Sequence, residues 1–300
     1  MCAPAAMNRD VMTHGLRSVL ALLGGLVTAW TAPPVHAETP LRVCLQADDA
    51  PLSSRHTDPP RGFDVALAGL IAERLGRPLA IQWFITRDDP DSNPVTEADA
   101  LLSDGHCALV AGYPLVADKL GRPRAATGKL PPFDGAKPED RGRWVSLGQL
   151  AATRAYRFDG ITVALAPADA EHSVHSLADL AGLKLGVEIH GLPDLIAMTY
   201  RQGELAGQVV HFDRSTELFA QLESGKIDAA LVDQRECDAW RLAHPETRVV
   251  PTTYWHSIGF NIGYVGLSTD AALIERVDTV VAELLARGKL NGIARASGMT

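Results

Sequence analysis

Six polar side chains stand where short apolar runs of strand length give out: Asp48, Asp49, Ser53, Tyr113, His190 and Asp233. Runs 41–45, 107–111, 183–188 and 227–232 precede them, and open α/β sheets bind ligands at the edge where such strands end. Carboxylates suit a cationic partner, because the hydrogen bond from an ammonium group is charge-assisted. Hydroxyls and an imidazole can orient the remaining polar groups. Catalytic signals are sparse. There is no Ser-His-Asp order, metal quartet or phosphate loop, and His172-x-x-His175 falls just before a helix cap at Ser176, where it reads as a solvated pair. If the chain were an enzyme, His190, His256 or Glu188 would be the general acid. The expectation is a ligand-binding protein without a catalytic role, metal or cofactor.

These side chains need a frame, and residues 216–233 supply its clearest unit. Leu218, Phe219 and Leu222 recur at helical spacing, Gly225 fits the position just past a helix end, and 227–232 is a short apolar strand that delivers Asp233 to the edge. Residues 98–113 repeat the pattern 120 positions earlier, with Gly105 in place of Gly225. Two such units half a chain apart suggest two similar α/β lobes.

Strand-helix-strand alternation fills the rest. Strand 41–45, a helix after Gly62-Phe63-Asp64 and strand 79–84 form a βαβ unit, and 114–143, rich in Gly, Pro, Lys and Arg, reads as a long loop at the carboxyl edge. Later strands are expected at 160–166, 183–188, 209–212, 227–232, 248–252 and 257–267, with helices near 236–243 and 271–286. Segment 257–267 fits a return to the first lobe. The expected domains are therefore 38–158 and 257–300 for lobe 1 and 159–256 for lobe 2, hinged on two crossing strands.

The amino terminus reads separately. Arg9 and Arg17 precede the apolar run 19–29, and Val35-His36-Ala37 places small residues at a cleavage site, so 1–37 reads as a secretory signal peptide. The run is too short to span a bilayer, which takes about 20 residues. Cleavage would remove two arginines and one aspartate, taking the formal charge from −8 to −9, which disfavours nucleic acid as a partner. Cys44, Cys107 and Cys237 remain, an odd number that permits one internal disulfide. If the strands beginning near Cys44 and Cys107 are neighbours the two can be bridged; otherwise both are buried thiols.

In order and spacing, LRVCLQADDAPLSS, GFDVALAGLIAERLGRPLAIQWF, LLSDGHCALVAG, HSLADLAGLKLGVE, LESGKIDAALVD and IGFNIGYVGL together resemble the family 3 extracellular solute-binding proteins, the periplasmic receptors of ABC importers for polar amino acids and related molecules. The resemblance covers nearly all of the chain after residue 37. It implies a type II periplasmic-binding-protein-like fold of two α/β lobes, a small polar solute between them, an ABC permease as partner, a monomer, and the periplasm. Asp233 stands where many members place the carboxylate for a ligand ammonium, and Ser53 where their first loop makes polar contacts.

Departures from that pattern restrict the ligand. The family's Thr-x-x-Arg, whose Arg holds an α-carboxylate, is replaced by a stretch beginning Gly112-Tyr113-Pro114, and its Gly-Thr-Thr by His190-Gly191-Leu192-Pro193. A neutral or cationic solute is expected, with free carboxylates binding poorly. The cysteine in the first strand and the Gly-x-Pro turn are similar to solute-binding-like proteins that accompany periplasmic quinoprotein alcohol dehydrogenases, which implies an accessory or maturation role as the alternative, with that dehydrogenase as partner. A third implication of the fold is a dehydratase. The first measurement is amino-terminal sequencing of the exported protein, which should begin at Glu38; retention of 19–30 in a membrane fraction would contradict the export reading.

Overall fold

The computed structural model describes residues 39–86, 93–117, 120 and 126–300. The proposed signal peptide, 1–37, lies outside them.

Strand β1 (Leu41–Gln46) runs into a short hairpin of two-residue strands, β2 (Asp48–Asp49) and β3 (Ser53–Ser54), then helix α1 (Phe63–Arg74) and β4 (Leu79–Phe84). Helix α2 (Pro94–Ser103) leads to β5 (Leu109–Pro114). The expected loop at 114–143 carries in its described part β6 (Thr127–Lys129), which pairs with β7 (Trp144–Ser146). Next come β8 (Leu150–Ala152), the long β9 (Arg157–Leu165), β10 (Leu185–Glu188), α3 (Leu192–Thr199), β11 (Val209–Phe212), α4 (Ser215–Glu223), β12 (Ala229–Asp233) and α5 (Gln234–Ala243). The 18-residue β13 (Val250–Leu267), α6 (Ala271–Ala286) and α7 (Lys289–Ala296) follow.

The helix-glycine-strand echo occupies equivalent places. Helix α2 starts at Asn93, whose side chain accepts hydrogen bonds from Val95 N and Thr96 N at 3.1 Å each, with Pro94 in the first turn. It ends at Gly105 (φ 77°), where Gly105 N donates to Leu102 O and His106 N to Leu101 O, both at 3.0 Å. Helix α4 ends alike: Gly225 (φ 71°) donates to Leu222 O and Lys226 N to Gln221 O, again at 3.0 Å. Paired bonds of this kind satisfy the last carbonyls of a helix and need a left-handed residue, which glycine adopts without a Cβ clash. Each glycine then turns the chain into a strand beside a crossing strand, β5 beside β13 and β12 beside β9.

The sheet order is β11-β10-β12-β9-β13-β5-β1-β4. Within each half the outer three strands are parallel, β10 with β11 and β12, and β1 with β4 and β5. The central pair, β9 and β13, is antiparallel, and each runs antiparallel to the half it borders. The ladder is therefore one path rather than two separate sheets. Cores divide it: two apolar clusters draw on residues 41–156 and 262–290, and two others on 161–249. Gly160 faces Gly259 at the centre, where a Cβ on Gly160 would lie 2.5 Å from the Trp255 ring and one on Gly259 2.5 Å from the Phe158 ring.

Strands expected at 248–252 and 257–267 are one, because β13 absorbs Pro251 and His256 through register shifts on either side of Trp255 instead of breaking. Cys44 and Cys107 are bonded, with Cα atoms 5.6 Å apart, joining β1 to the turn before β5; Cys237 is free and buried. No helix among the described residues is long and apolar enough to cross a membrane. Since the bridge spans 63 positions, Cys44→Ala/Cys107→Ala should lose about 2–4 kcal/mol of stability. Denaturant unfolding of this variant against the oxidised protein measures it, and equal midpoints would contradict it.

Candidate functional site

A cavity of about 480 Å3 opens where the crossing strands meet the ends of β1, β5 and β12. The end of β1 and its hairpin bring Gln46, Asp48, Asp49 and Leu52, β5 brings Gly112 and Pro114, and the crossing strands bring Arg157, Asp159, Phe260 and Ile262. Asp233 and Arg235 enter from β12 and α5. A second cavity of about 440 Å3 adjoins it, sharing Asp48 and Arg235 and walled by Ser215, Phe219, Glu236 and Trp240.

Three of the six sequence candidates meet here. Asp48, Asp49 and Asp233 line the first cavity, and Asp48 lines both. Asp233 precedes the first residue of α5, yet its side chain makes no capping bond, so the carboxylate is left to the cleft. The other three line neither cavity. Tyr113 sits between Gly112 and Pro114, and strand alternation sends its ring to the opposite face, where the hydroxyl donates to Asp99 Oδ2 at 3.2 Å. Ser53 is 2% exposed and donates to Gln46 O at 2.7 Å, tying the hairpin to the end of β1 rather than facing a ligand. His190 is exposed at φ 64°, with its backbone N–H bonded to Asp194 Oδ2 at 3.1 Å; Leu192 takes the place at the cavity wall.

Candidate general acids are not gathered either. His256 accepts from Ile258 N at 3.1 Å and, like His190, lines neither cavity, whereas Glu188 lies near the carboxylates at the cleft and accepts from Ser215. His172 and His175 are exposed, and no group of three metal-ligating side chains exists among the described residues.

The residue that sequence reading missed is Arg235, two positions beyond Asp233 in the first turn of α5. Its Nη1 reaches Asp49 Oδ1 at 3.1 Å, across 186 positions, with the side chain 39% exposed. So exposed a pair contributes no more than about 1 kcal/mol by itself. Its surroundings matter more. Burial works against the charged guanidinium, but Asp49, Glu236, Asp233 and Glu188 outweigh it and hold Arg235 above its ordinary value. Four acidic groups thus surround this one guanidinium. Burial pushes Glu236 up to about 8, with Arg235 opposing and Asp233, Glu188 and Asp49 adding to the rise. Asp233 is pushed up by burial against the pull of Arg235, and Glu188 by burial against its bonds from Ser215.

Arg157, at the start of β9, is the other cation at the cleft, with 8% of its side chain exposed. Asp159 pairs with it on the same strand, so its charge is already met. The site therefore holds more negative than positive groups, which suits a neutral or cationic occupant.

The architecture is a type II periplasmic-binding-protein-like fold, two α/β lobes hinged on β9 and β13. Solved structures share it. The second substrate binding domain of Lactococcus lactis GlnP in an open conformation matches with a TM-score of 0.62 at 18% identity, over 89% of this chain and 97% of that one. An ancestral cationic amino acid solute binding protein matches at 0.58 and 18%, over 86% and 95%. An ancestral arginine-binding protein bound to glutamine matches at 0.52 and 21%, over 87% and 98%. At such identities the likeness is one of fold. No family model matches the sequence, and no curated protein does.

The raised carboxyls give a pH dependence. Glu236 binds its proton more tightly folded than unfolded, so its contribution to stability is complete below about 4.5 and is lost as pH rises through about 8. Asp233 and Glu188 act in the same direction. Thermal melts from pH 5 to 9 should show stability falling with pH less steeply in Glu236→Gln than in the parent protein. Parallel curves would remove Glu236 from the account.

Proposed function

We propose that the protein is a periplasmic solute-binding protein: it captures a small neutral or cationic solute between its lobes, closes on it by bending at β9 and β13, and presents it to an ABC permease. The observation that carries this reading is the charge imbalance at the cleft, where four carboxyl groups, Asp48, Asp49, Asp159 and Asp233, line a cavity of about 480 Å3 with two guanidiniums, Arg157 and Arg235, in a fold shared with substrate binding domains. A ligand ammonium near Asp233 would supply the missing positive charge and replace the water lost from a partly buried carboxylate. The function is binding rather than catalysis, and the lobes are 38–158 with 257–300, and 159–256. Residues 1–37 serve as the export signal that places the protein in the periplasm. The similar solved structures lend support to neither the dehydrogenase-accessory reading nor the dehydratase reading.

Thermal shift followed by calorimetry over amines, polyols, amino acids and organic acids tests the reading. A cationic or neutral compound should bind, and Asp233→Ala should weaken a cationic ligand by about 1.5–3 kcal/mol, roughly 10- to 150-fold. Tight binding of a dicarboxylate, or affinity indifferent to Asp233→Ala, would refute the assignment. Absence of any ligand together with copurification of a quinoprotein dehydrogenase would favour the accessory role.

A further inference from the structure

The chain after α7 joins two places that belong to different halves. Leu290 is buried in the core that α1 and α6 share with β1, and Met299 packs against the same core. Thr300, the next residue, is bonded to α5. Its hydroxyl accepts from Gln234 Nε2 at 2.6 Å and donates to Asp238 Oδ1 at 2.6 Å, while Thr300 N donates to Asp238 Oδ2 at 3.2 Å. Asp238 is 1% exposed, and Arg241, the nearest cation paired with it, stands 4.0 Å away. Gln234 Nε2 adds one bond at 3.1 Å, so Thr300 supplies much of what a buried carboxylate requires.

This tie has no slack. Consecutive Cα atoms are about 3.8 Å apart, so Met299 cannot stay in one core and Thr300 on the other half if the two separate there by more than about one residue's length. Gln234 and Asp238 are four positions apart and share a face of α5. Arg235 lies about 100° around the helix from Gln234, and its partner Asp49 also belongs to the first half. Helix α5 is thus held to that half from two sides, by an ion pair at the cleft and by Thr300 away from it.

We propose that Met299–Thr300 is a strap that ties α5 to the first half and limits how far the cleft opens. The inference rests on the two-lobed closing motion proposed above. Lobes joined only by β9 and β13 would open freely once the Arg235–Asp49 pair parted. With the strap docked, opening also has to expose Asp238 or draw Met299 from its core, and the solute-free protein stays more closed.

Spin labels at Lys137→Cys and Lys226→Cys, exposed positions of the two halves, in a Cys237→Ser background would report the separation by pulsed electron resonance without any ligand. Thr300→Val, which keeps the shape and removes the hydroxyl, and a variant lacking Met299 and Thr300 should both shift the distribution to longer distances, by more than about 4 Å, one residue's span. Asp49→Ala, which releases the ion pair at the cleft, serves as the comparison. If Asp49→Ala lengthens the distance and neither strap variant does, the strap is overturned while the lobe motion stands. If none of the three moves it, strap and closing motion fall together.

Discussion

The antiparallel pairing of β9 with β13 is the constraint on which the rest depends. Each strand pairs both with the other crossing strand and with the half it borders, β9 with β12 and β13 with β5 and β8, and that requirement fixes where both sets of parallel strands end. Because β5 and β12 run into the crossing pair from opposite sides, their carboxyl ends and the hairpin after β1 open onto one shared space. The cleft follows from the hydrogen-bonding pattern.

Charge at that shared space is arranged asymmetrically. Both arginines at the cavity wall already have carboxylate partners, Arg157 beside Asp159 on its own strand and Arg235 reaching Asp49 from the other half. What remains is carboxylate, on groups whose burial already pushes them toward the protonated form. Arg235 also sits in the first turn of a helix, where the macrodipole disfavours a cation. Its surrounding acids offset that cost, so the guanidinium is held by neighbours that could equally serve an incoming positive group.

Most of the frame was legible in the sequence because it is written in local chemistry. The bounds of β4, β11 and α6 match the apolar runs and caps that announce them, and the glycines at 105 and 225 mark helix ends at equivalent places in the two halves. The site was legible only in part. Proximity to a strand end points to the cavity-lining Asp48, Asp49 and Asp233, but it cannot tell which face of β5 Tyr113 takes or that Ser53 spends its hydroxyl on the end of β1. Arg235 was overlooked because its importance comes from a partner 186 positions away, a relation no local pattern encodes. The sequence pattern splits the single long β13 into two strands for a related reason: bulges that accommodate Pro251 depend on the partner strand, not on β13 itself.

The hydroxyl of Tyr156 has a mechanical consequence. It donates to the buried Asp64 at 2.7 Å and accepts from Gly112 N at 2.7 Å, while Tyr156 N donates to Ile262 O at 2.8 Å. That ties the entry to β9 to the floor of the first half, so the bending proposed above would start at Arg157 or beyond. A few residues farther on, Gly160 and Gly259 oppose each other with no side chains of their own, roofed by the Trp255 and Phe158 rings. The fulcrum of such a motion would lie between this anchor and the backbone crossing, with Arg157 and Asp159 on the short stretch of β9 between them. Any rotation of one half against the other is therefore felt first at this cleft-wall ion pair, which makes it a natural gauge of how far the molecule has turned.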